Sequence, residues 1–290
     1  MSLNINIIGT GNVGKTIGRL IVTHHAGTIR GIFNRTSSHS THGIQFIGNG
    51  TMCQDIASLP PADITLITTP DNAISEACLT LCQNQNIKPG CIIIHCSGSL
   101  TSDVLLPLKR IGCSIASIHP MHSFAKPELS IKQYAGTFCA VEGDKEATDV
   151  ITDLFKSIGS ITYFIHKDKK QLYHAAGVFA CNYLVTLSQQ SLSCLQDAGV
   201  EKEMAMQIII NLMKSTVFNL EKTMSPEKSL TGPIQRGDDA TIQQHLKSLD
   251  SPTQKALYAL LGQETLGLTK HDDKKLEVLN KLFDSDLSKK

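Results

Sequence analysis

The chain has 290 residues, and 27 Lys and Arg stand against 26 Asp and Glu, which gives a net charge of +1. This balance argues against a nucleic acid or an anionic membrane as partner, because both select a surplus of basic residues. The nine cysteines form no C-x-x-C pair and lie mostly in apolar runs, as reduced thiols of cytoplasmic proteins do. The start of the sequence lacks a secretory signal pattern, so we expect a cytoplasmic protein.

The first predicted element is a strand that leads into three glycines. The apolar run Ile5–Ile8 precedes Gly9-Thr10-Gly11-Asn12-Val13-Gly14, which has the spacing G-x-G-x-x-G. In a dinucleotide site the first glycine permits a tight turn, the second admits the pyrophosphate, and the third lets the next helix pack closely. Apolar positions at helical spacing follow, and Gly27 is expected to cap that helix. We therefore predict that residues 9–14 bind a pyrophosphate at the helix N-terminus.

The second predicted strand, from Ile29 to Phe33, ends at Asn34-Arg35-Thr36. NAD-specific sites usually place a carboxylate here to bind the ribose 2′-hydroxyl. This chain instead has an amide and a guanidinium, which suit a 2′-phosphate. We predict NADP rather than NAD as the cofactor, with Asn34, Arg35 and Thr36 at its adenosine end.

Strands and helices then alternate up to residue 166. Further strands are predicted near residues 50–53, 64–69, 91–96, 114–118, 137–141 and 161–165, with a polar crossover over 37–47. Asp71 is expected to cap the helix that follows the fourth strand. The pattern predicts an α/β fold with a doubly wound, mainly parallel Rossmann sheet over residues 1–166. Ligands bind at the carboxyl ends of such strands, so Thr69, Pro70, Ser97 and Gly98 are predicted to contact the cofactor.

From residue 167 onward the pattern is helical, which predicts an all-helical domain over 167–290 for substrate binding and dimerisation. The stretch from Gln171 to Gln196 contains no charged residue, but its polar side chains are too frequent for a membrane span. A helix buried within or between subunits is expected, which favours a homodimer. Later helices are predicted over 201–222 and after Asp238, Ser251 and His271, with Ser251 as one N-cap and Asp238 or Asp239 as another. Residues 229–238 are rich in turn formers and are predicted to be non-helical.

Several motifs together resemble a known family. They are Gly9 to Gly14, Ser97-Gly98-Ser99, residues 117–124, residues 173–184 and residues 230–238. The chain resembles the superfamily of 6-phosphogluconate and 3-hydroxyacid dehydrogenases, and more closely the bacterial proteins that pair a Rossmann-like domain with domain of unknown function 2520. The resemblance implies an NADP-dependent oxidoreductase, and some similar bacterial proteins act as an alternative ketopantoate reductase.

The chain departs from this resemblance on its long helix. Many 3-hydroxyacid dehydrogenases carry Lys-x-x-x-Asn early in that helix, with the lysine as acid or base. If Asn182 takes the place of that asparagine, the lysine position is Val178. The acid or base must then come from elsewhere or be missing.

His119 is the first candidate for proton transfer, because hydride transfer to a carbonyl needs a proton donor and histidine suits neutral pH. Its His-Pro-Met is similar to a motif of prephenate dehydrogenases, in which that histidine and an earlier serine contact the reacting hydroxyl. Ser99 stands twenty residues before His119. The alternative is a hydrogen-bonded structural histidine in a turn. His122 completes H-x-x-H near the substrate, but two histidines without a third ligand make a poor metal site, so no metal is predicted.

Two further groups of polar residues are candidates for the substrate site. Lys170, His174 and Val178 share one helical face and Asn182 continues it, so His174 and Asn182 either line the site or are satisfied core residues. Arg236 suits a substrate carboxylate, with a surface salt bridge as the alternative.

These observations predict an NADP-dependent oxidoreductase that transfers a hydride between NADPH and a small 2-oxo or hydroxy acid, with a ketopantoate reductase-like activity as the finer expectation. Two alternatives stay open. One is a prephenate-type dehydrogenase. The other is a non-catalytic NADP-binding sensor or scaffold, which the missing helix lysine would explain.

Overall fold

The computed structural model describes residues 3–287, with side chains described up to residue 284. Contacts divide the chain into two compact units, Met1–Cys181 and Asn182–Lys290. The strands are β1 (Leu3–Ile8), β2 (Gly27–Phe33), β3 (Thr51–Met52), β4 (Ile64–Ile67), β5 (Ile92–His95), β6 (Ser114–Pro120), β7 (Phe138–Gly143) and β8 (Ile161–Phe164). The helices of the first unit are α1 (Asn12–Thr23), α2 (Ser37–Ile47), α3 (Asp71–Leu81), α4 (Leu106–Arg110), α5 (Pro127–Gln133), α6 (Lys145–Ser157) and α7 (Lys170–Gly177).

The described strands form one sheet in the order β3-β2-β1-β4-β5-β6-β7-β8. All neighbours are parallel except β6 and β7, which pair antiparallel with His119 opposite Ala140. Every residue of β4 and β5 is buried, as strands covered on both faces by helices must be. The chain runs outward from β1 in both directions, which confirms the predicted doubly wound, mainly parallel sheet.

Three local predictions in this unit are wrong. Gly27 does not cap α1, because the helix ends at Thr23 and Gly27 begins β2. Asp71 is the first residue of α3 rather than its cap, and Pro70 holds the cap position. Residues 37–47 form α2, whose buried residues Ser40, Gly43 and Ile47 follow helical spacing with mostly small side chains.

Within residues 182–287 every regular element is helical. A π-helical turn, Val178–Asn182, leads into α8 (Tyr183–Asp197), which is followed by α9 (Lys202–Thr223), α10 (Pro226–Ser229), α11 (Pro233–Arg236), α12 (Asp239–Ser248), α13 (Pro252–Leu266) and α14 (Asp273–Leu287). Asp238 and Ser251 cap α12 and α13 as predicted, by accepting from the backbone N–H of Thr241 and Gln254. The short helix α11 contradicts the prediction that residues 229–238 are non-helical, because Pro233 at its first position suits a helix start.

The second unit has two separate apolar clusters. Leu192, Ala205 and Ile209 are the buried members between α8 and α9, whereas α12, α13 and α14 surround Phe283 and Leu279. Among residues 3–287, no helix combines the length and apolarity needed to cross a membrane.

Candidate active site

The turn between β1 and α1 has the geometry of a nucleotide-binding loop. Gly9 has φ +92°, and a Cβ at Gly14 would lie 2.1 Å from the Gly9 carbonyl oxygen, so neither position accepts a side chain. A Cβ at Gly11, by contrast, would meet no atom within 4 Å. The loop is thus tight where it packs on the protein and open at Gly11, where the pyrophosphate of a dinucleotide needs room.

A cavity of about 350 Å³ adjoins this loop in the first unit. Its lining includes Gly11, Asn34, Arg35, Thr69, Pro70 and Ala73. The Thr69 hydroxyl is buried without a hydrogen-bond partner among the described residues, which is costly unless a ligand satisfies it. The cavity thus offers an unpaired hydroxyl at the end of β4 to a ligand with polar groups.

Asn34 and Arg35 have different surroundings at the end of β2. The Asn34 amide oxygen accepts from the Thr10 N–H at 2.7 Å, and its nitrogen donates to the Thr10 and Ser40 hydroxyls at 2.9 and 3.2 Å. Both amide hydrogens are therefore used to hold the glycine loop against α2. Arg35 lines the cavity together with Asp55 and Glu76, so side chains of both charges are present there.

Two other predicted cofactor residues occupy the starts of helices. Asn12 begins α1 and donates its side-chain N–H to the carbonyl oxygens of Phe124 and Ala125, at 2.7 and 3.1 Å. This contact ties the glycine loop to the segment that follows β6. Thr36 holds the cap position of α2, where its side chain makes no capping hydrogen bond.

His119 lies near the carboxyl end of β6 and contacts α7. Its Nδ1 is 2.9 Å from the hydroxyl of Tyr173, and the His174 ring packs edge-on with a centroid distance of 5.9 Å. A Cβ at Gly98 would lie 2.8 Å from the His119 Nε2, so the ring rests on the Gly98 backbone. The structure therefore brings Gly98, His119 and His174 together.

The electrostatics of His119 differ from those of a proton donor that titrates near neutrality. Burial, followed by the charges of His174 and Lys170, lowers the pKa of His119 to about 4, while Asp71 opposes the shift. His119 is therefore neutral at pH 7. A neutral imidazole acts as a hydrogen-bond donor or as a base rather than as a charged acid.

Ser99 is held by a carboxylate. Its hydroxyl donates to Asp71 Oδ2 at 2.6 Å, and its backbone N–H donates to the Ser97 hydroxyl at 3.2 Å. Ser97 also accepts from the Leu100 N–H at 2.9 Å, so its side chain shapes the loop after β5. The sequence analysis did not identify Asp71 as a partner of Ser99, because its position before a helical pattern indicated a helix cap.

A buried ion pair lies beneath this cluster. Lys170 and Glu142 are 3.0 Å apart, and Lys170 Nζ also donates to the Ser117 hydroxyl. Lys170 is the first residue of α7, and Glu142 lies on β7. The pair therefore fixes α7, which carries Tyr173, to the sheet. This explains why the first compact unit extends past residue 166, where the composition changes.

Three other predicted substrate or catalytic residues are His122, Asn182 and Arg236. The His122 ring packs on Phe124 and Tyr134, at centroid distances of 4.9 and 6.1 Å, and burial lowers its pKa. Asn182 is exposed at the end of the π-helical turn, and Arg236 is exposed at the end of α11. Both Asn182 and Arg236 belong to the second unit.

Tyr173 is the contact of His119 that the sequence analysis did not single out. It follows Lys170 by three positions, which places both side chains on neighbouring parts of one helical face. With Lys170 recognised as a residue facing the sheet, this spacing would have indicated that Tyr173 faces the sheet too.

The sheet order and the glycine loop define a protein of the Rossmann class. Two family models match the chain, a Rossmann-like domain over residues 1–120 and DUF2520, a domain of unknown function, over residues 137–265. The chain thus joins a Rossmann-like domain to a DUF2520 domain, as its motifs predict. No curated protein sequence matches it.

Solved structures from several bacteria share the fold. A candidate NADP oxidoreductase from Bacteroides fragilis is 19% identical, with 92% of this chain and 98% of that chain covered and a TM-score of 0.75. A protein from Thermotoga maritima is 24% identical, with 97% and 99% covered and a TM-score of 0.66. An imine reductase from Myxococcus stipitatus, solved in complex with NADP+, is 12% identical, with 94% and 98% covered and a TM-score of 0.67.

Proposed function

We propose that this protein is an NADP-dependent reductase of a C=O or C=N bond in a small molecule. The observation that carries the proposal is that one compact unit holds both an open glycine loop beside a nucleotide-sized cavity and His119 seated on Gly98. The likeness in fold to proteins described as an NADP oxidoreductase and an imine reductase supports it.

The proposed cofactor site uses the residues that the sequence indicates. Gly9 and Gly14 shape the loop, Gly11 leaves the pyrophosphate its space, and Asn34 fixes the loop through Thr10. Arg35 binds the 2′-phosphate, and Thr69 offers its unpaired hydroxyl. The remaining contacts come from Asn12, Val13, Thr36, Pro70, Ser97 and Gly98.

In the proposed reaction, NADPH would supply, when bound, the hydride that adds to the carbon of the double bond, and would thereby be oxidised to NADP+. The electron pair of that bond moves to the oxygen or nitrogen, which takes up one proton that derives from water. His119 and Ser99 contact this atom, since they lie at adjacent strand ends and both carry hydrogen-bonding side chains. His174 completes the site from α7.

We infer that the substrate is a 2-oxo or hydroxy acid and, more specifically, a compound that resembles ketopantoate. Arg236 would bind the carboxylate, because an exposed guanidinium forms bidentate pairs with carboxylates. Asn182 would contribute an amide donor or acceptor. In this proposal, residues 1–166 bind the cofactor, and residues 167–290 select the substrate.

We also propose a homodimer, formed through α8 and α9. These helices bury few residues between them, while Val185, Leu212, Val217 and Phe218 are each more than half exposed. An apolar cavity of about 430 Å³ lies beside Leu212 in the same unit. A second copy of the chain would remove this apolar surface from water.

The test is a fluorescence titration with NADPH, followed by assays of NADPH consumption with a panel of 2-oxo acids and cyclic imines. Reductase activity predicts saturable NADPH binding and turnover of at least one compound class. His119→Ala should keep NADPH binding and lose most turnover. NADPH binding without any turnover would favour the sensor or scaffold alternative, and absent binding would refute the whole proposal.

A further inference from the structure

The contact between Tyr173 and His119 is the hydrogen bond that orients the proposed reacting group. The two residues are 54 positions apart, and α7 brings the Tyr173 hydroxyl to 2.9 Å from Nδ1 of His119. The rings meet edge-on, with a centroid distance of 5.6 Å and an interplanar angle of 87°. Because the contact uses one ring nitrogen only, it can decide which nitrogen carries the proton.

The two ring nitrogens of His119 face different surroundings. Nδ1 faces the Tyr173 hydroxyl, whereas Nε2 lies over the backbone of Gly98, which is proposed to contact the cofactor. A tyrosine hydroxyl has a single hydrogen. When this hydrogen is donated to Nδ1, the neutral ring must carry its own hydrogen on Nε2.

We propose that Tyr173 is a positioning residue that donates its hydroxyl hydrogen to His119 Nδ1 and thereby presents Nε2–H to the oxygen or nitrogen of the substrate double bond. The inference rests on the proposed reductase function and adds the residue that sets the tautomer of His119. The hydroxyl has two further contacts. The His119 carbonyl oxygen, at 3.5 Å, is too distant to compete with the 2.9 Å contact, and the Tyr163 side chain, which also hydrogen-bonds the hydroxyl, can donate to its oxygen and so leave its hydrogen for Nδ1.

The charges around His119 agree with a neutral ring. His174 and the Lys170 ammonium both disfavour an imidazolium, and the Asp71 carboxylate that opposes them is already paired with Ser99. A neutral imidazole N–H polarises a carbonyl without first losing a proton of its own. The hydrogen bond to Tyr173 therefore acts on a ring that stays neutral throughout the physiological range.

The test is nitrogen NMR of the full-length protein labelled with 15N-histidine, which distinguishes a protonated ring nitrogen from a bare one. In the wild type, His119 should show a bare Nδ1 and a protonated Nε2. In Tyr173→Phe, the preference for this tautomer should fall by up to about tenfold, the equivalent of one neutral hydrogen bond.

The chain offers a matched control in its helical unit. His245 Nδ1 is also 2.9 Å from a tyrosine hydroxyl, that of Tyr258, with the rings edge-on. Tyr258→Phe should change the His245 signals and leave those of His119 untouched. NADPH affinity should stay within about twofold in both variants, because neither hydroxyl contributes a charged contact to the cofactor.

A protonated Nδ1 in the wild type, or an unchanged His119 in Tyr173→Phe, would overturn the inference. The substrate part is tested with oxamate, a 2-oxo-acid analogue, added to the NADPH-bound wild type, and with 1-pyrroline, a neutral cyclic imine whose nitrogen can accept a hydrogen bond, added to the NADP+-bound wild type. At least one should shift the Nε2–H signal, and no shift with either would refute that part. Failure of NADPH binding would refute the proposed function but leave the tautomer result readable.

Discussion

Lys170 and Glu142 form a salt bridge of 3.0 Å with only 2% and 4% of their side chains exposed. Glu142 also accepts from the backbone N–H and the hydroxyl of Ser102, at 2.8 and 2.7 Å. Burial lowers the pKa of Lys170, and the neighbouring carboxylate opposes this shift. Each charge is thus buried beside the opposite charge, so the burial of either one depends on the presence of the other.

Removing one member of this pair should destabilise the protein strongly. Lys170→Met and Glu142→Gln should each lower the free energy of unfolding by about 3–5 kcal/mol, because each leaves the charge of the other residue buried without an opposite charge beside it. The double variant should cost less than the sum of the two. Urea unfolding measures all three. Lys145→Met, in the exposed pair with Asp149, should cost less than about 1 kcal/mol. Additive losses would show that the pair is not coupled.

Arg35→Ala should weaken NADPH binding while NADH binding changes little, because only NADPH carries the 2′-phosphate. A hydrogen bond to a charged group contributes about 1.5–3 kcal/mol, so the loss should be about ten- to hundredfold. Isothermal titration with both nucleotides measures it. Arg30→Ala is the control, since Arg30 is exposed on β2, the strand that precedes Arg35, and does not line the nucleotide cavity. Equal losses for both nucleotides would contradict the assignment.

Substitutions at two glycines of the loop should affect different properties, thermal stability in one case and NADPH binding in the other. Gly14→Ala should lower the melting temperature, because its Cβ would fall 2.1 Å from a backbone oxygen. Gly11→Ala should leave the melting temperature unchanged and abolish NADPH binding, because its Cβ would enter the space left for the pyrophosphate. Differential scanning fluorimetry with and without NADPH tests both. A Gly11→Ala protein with wild-type affinity would place the phosphates elsewhere.

The buried His95 should make the protein sensitive to acid. Its Nδ1 accepts from the Ser97 N–H and its Nε2 lies 3.1 Å from the Thr101 carbonyl oxygen, while burial, assisted by Lys170, lowers its pKa from 6.5 to about 4. The unfolded chain then binds the proton more tightly, so stability is full above pH 6.5 and is lost as the pH falls toward 4. The loss amounts to about 3 kcal/mol.

Urea unfolding at several pH values measures this loss. His95→Gln should reduce the slope of stability against pH below pH 6.5 by the share of one histidine, whatever its cost at neutral pH, while His119, whose pKa is lowered to the same value, still contributes. The exposed His24→Gln is the control and should keep the wild-type slope. An unchanged slope in His95→Gln would assign the acid sensitivity to other groups.

Leu212→Asp should shift the protein from dimer to monomer. Leu212 is 61% exposed on α9, and a carboxylate there would be buried without a partner in the proposed interface. Size-exclusion chromatography with light scattering measures the mass. Leu79→Asp, at 55% exposure on α3, should leave the mass unchanged. A monomeric wild type would refute the proposed dimer.

The sequence predicts the fold well where the signal is local. The glycine loop, the strand that precedes it and the helix caps at Asp238 and Ser251 each depend on a few consecutive residues. Helix α2 was missed because its buried face is made of Ser40, Gly43 and Ile47, so its helical periodicity does not appear as an apolar pattern.

The candidate site is predicted only in part, because its contacts join distant parts of the chain. His119 follows from its place at a strand end, but its partner Tyr173 arrives on a helix 54 residues later. The neutral state of His119 depends on burial and on Lys170, neither of which a motif records. The comparison of Val178 and Asn182 with Lys-x-x-x-Asn also assumes α-helical spacing, whereas these residues form a π-helical turn.

The bond from Asn12 to the carbonyl oxygens of Phe124 and Ala125 has a consequence for how this protein would sense its ligand. The same asparagine begins the helix whose first N–H groups would face the phosphates, so filling the nucleotide site would pull directly on the backbone five residues past His119. Occupancy at one end of the sheet would thereby stiffen the segment that follows His119.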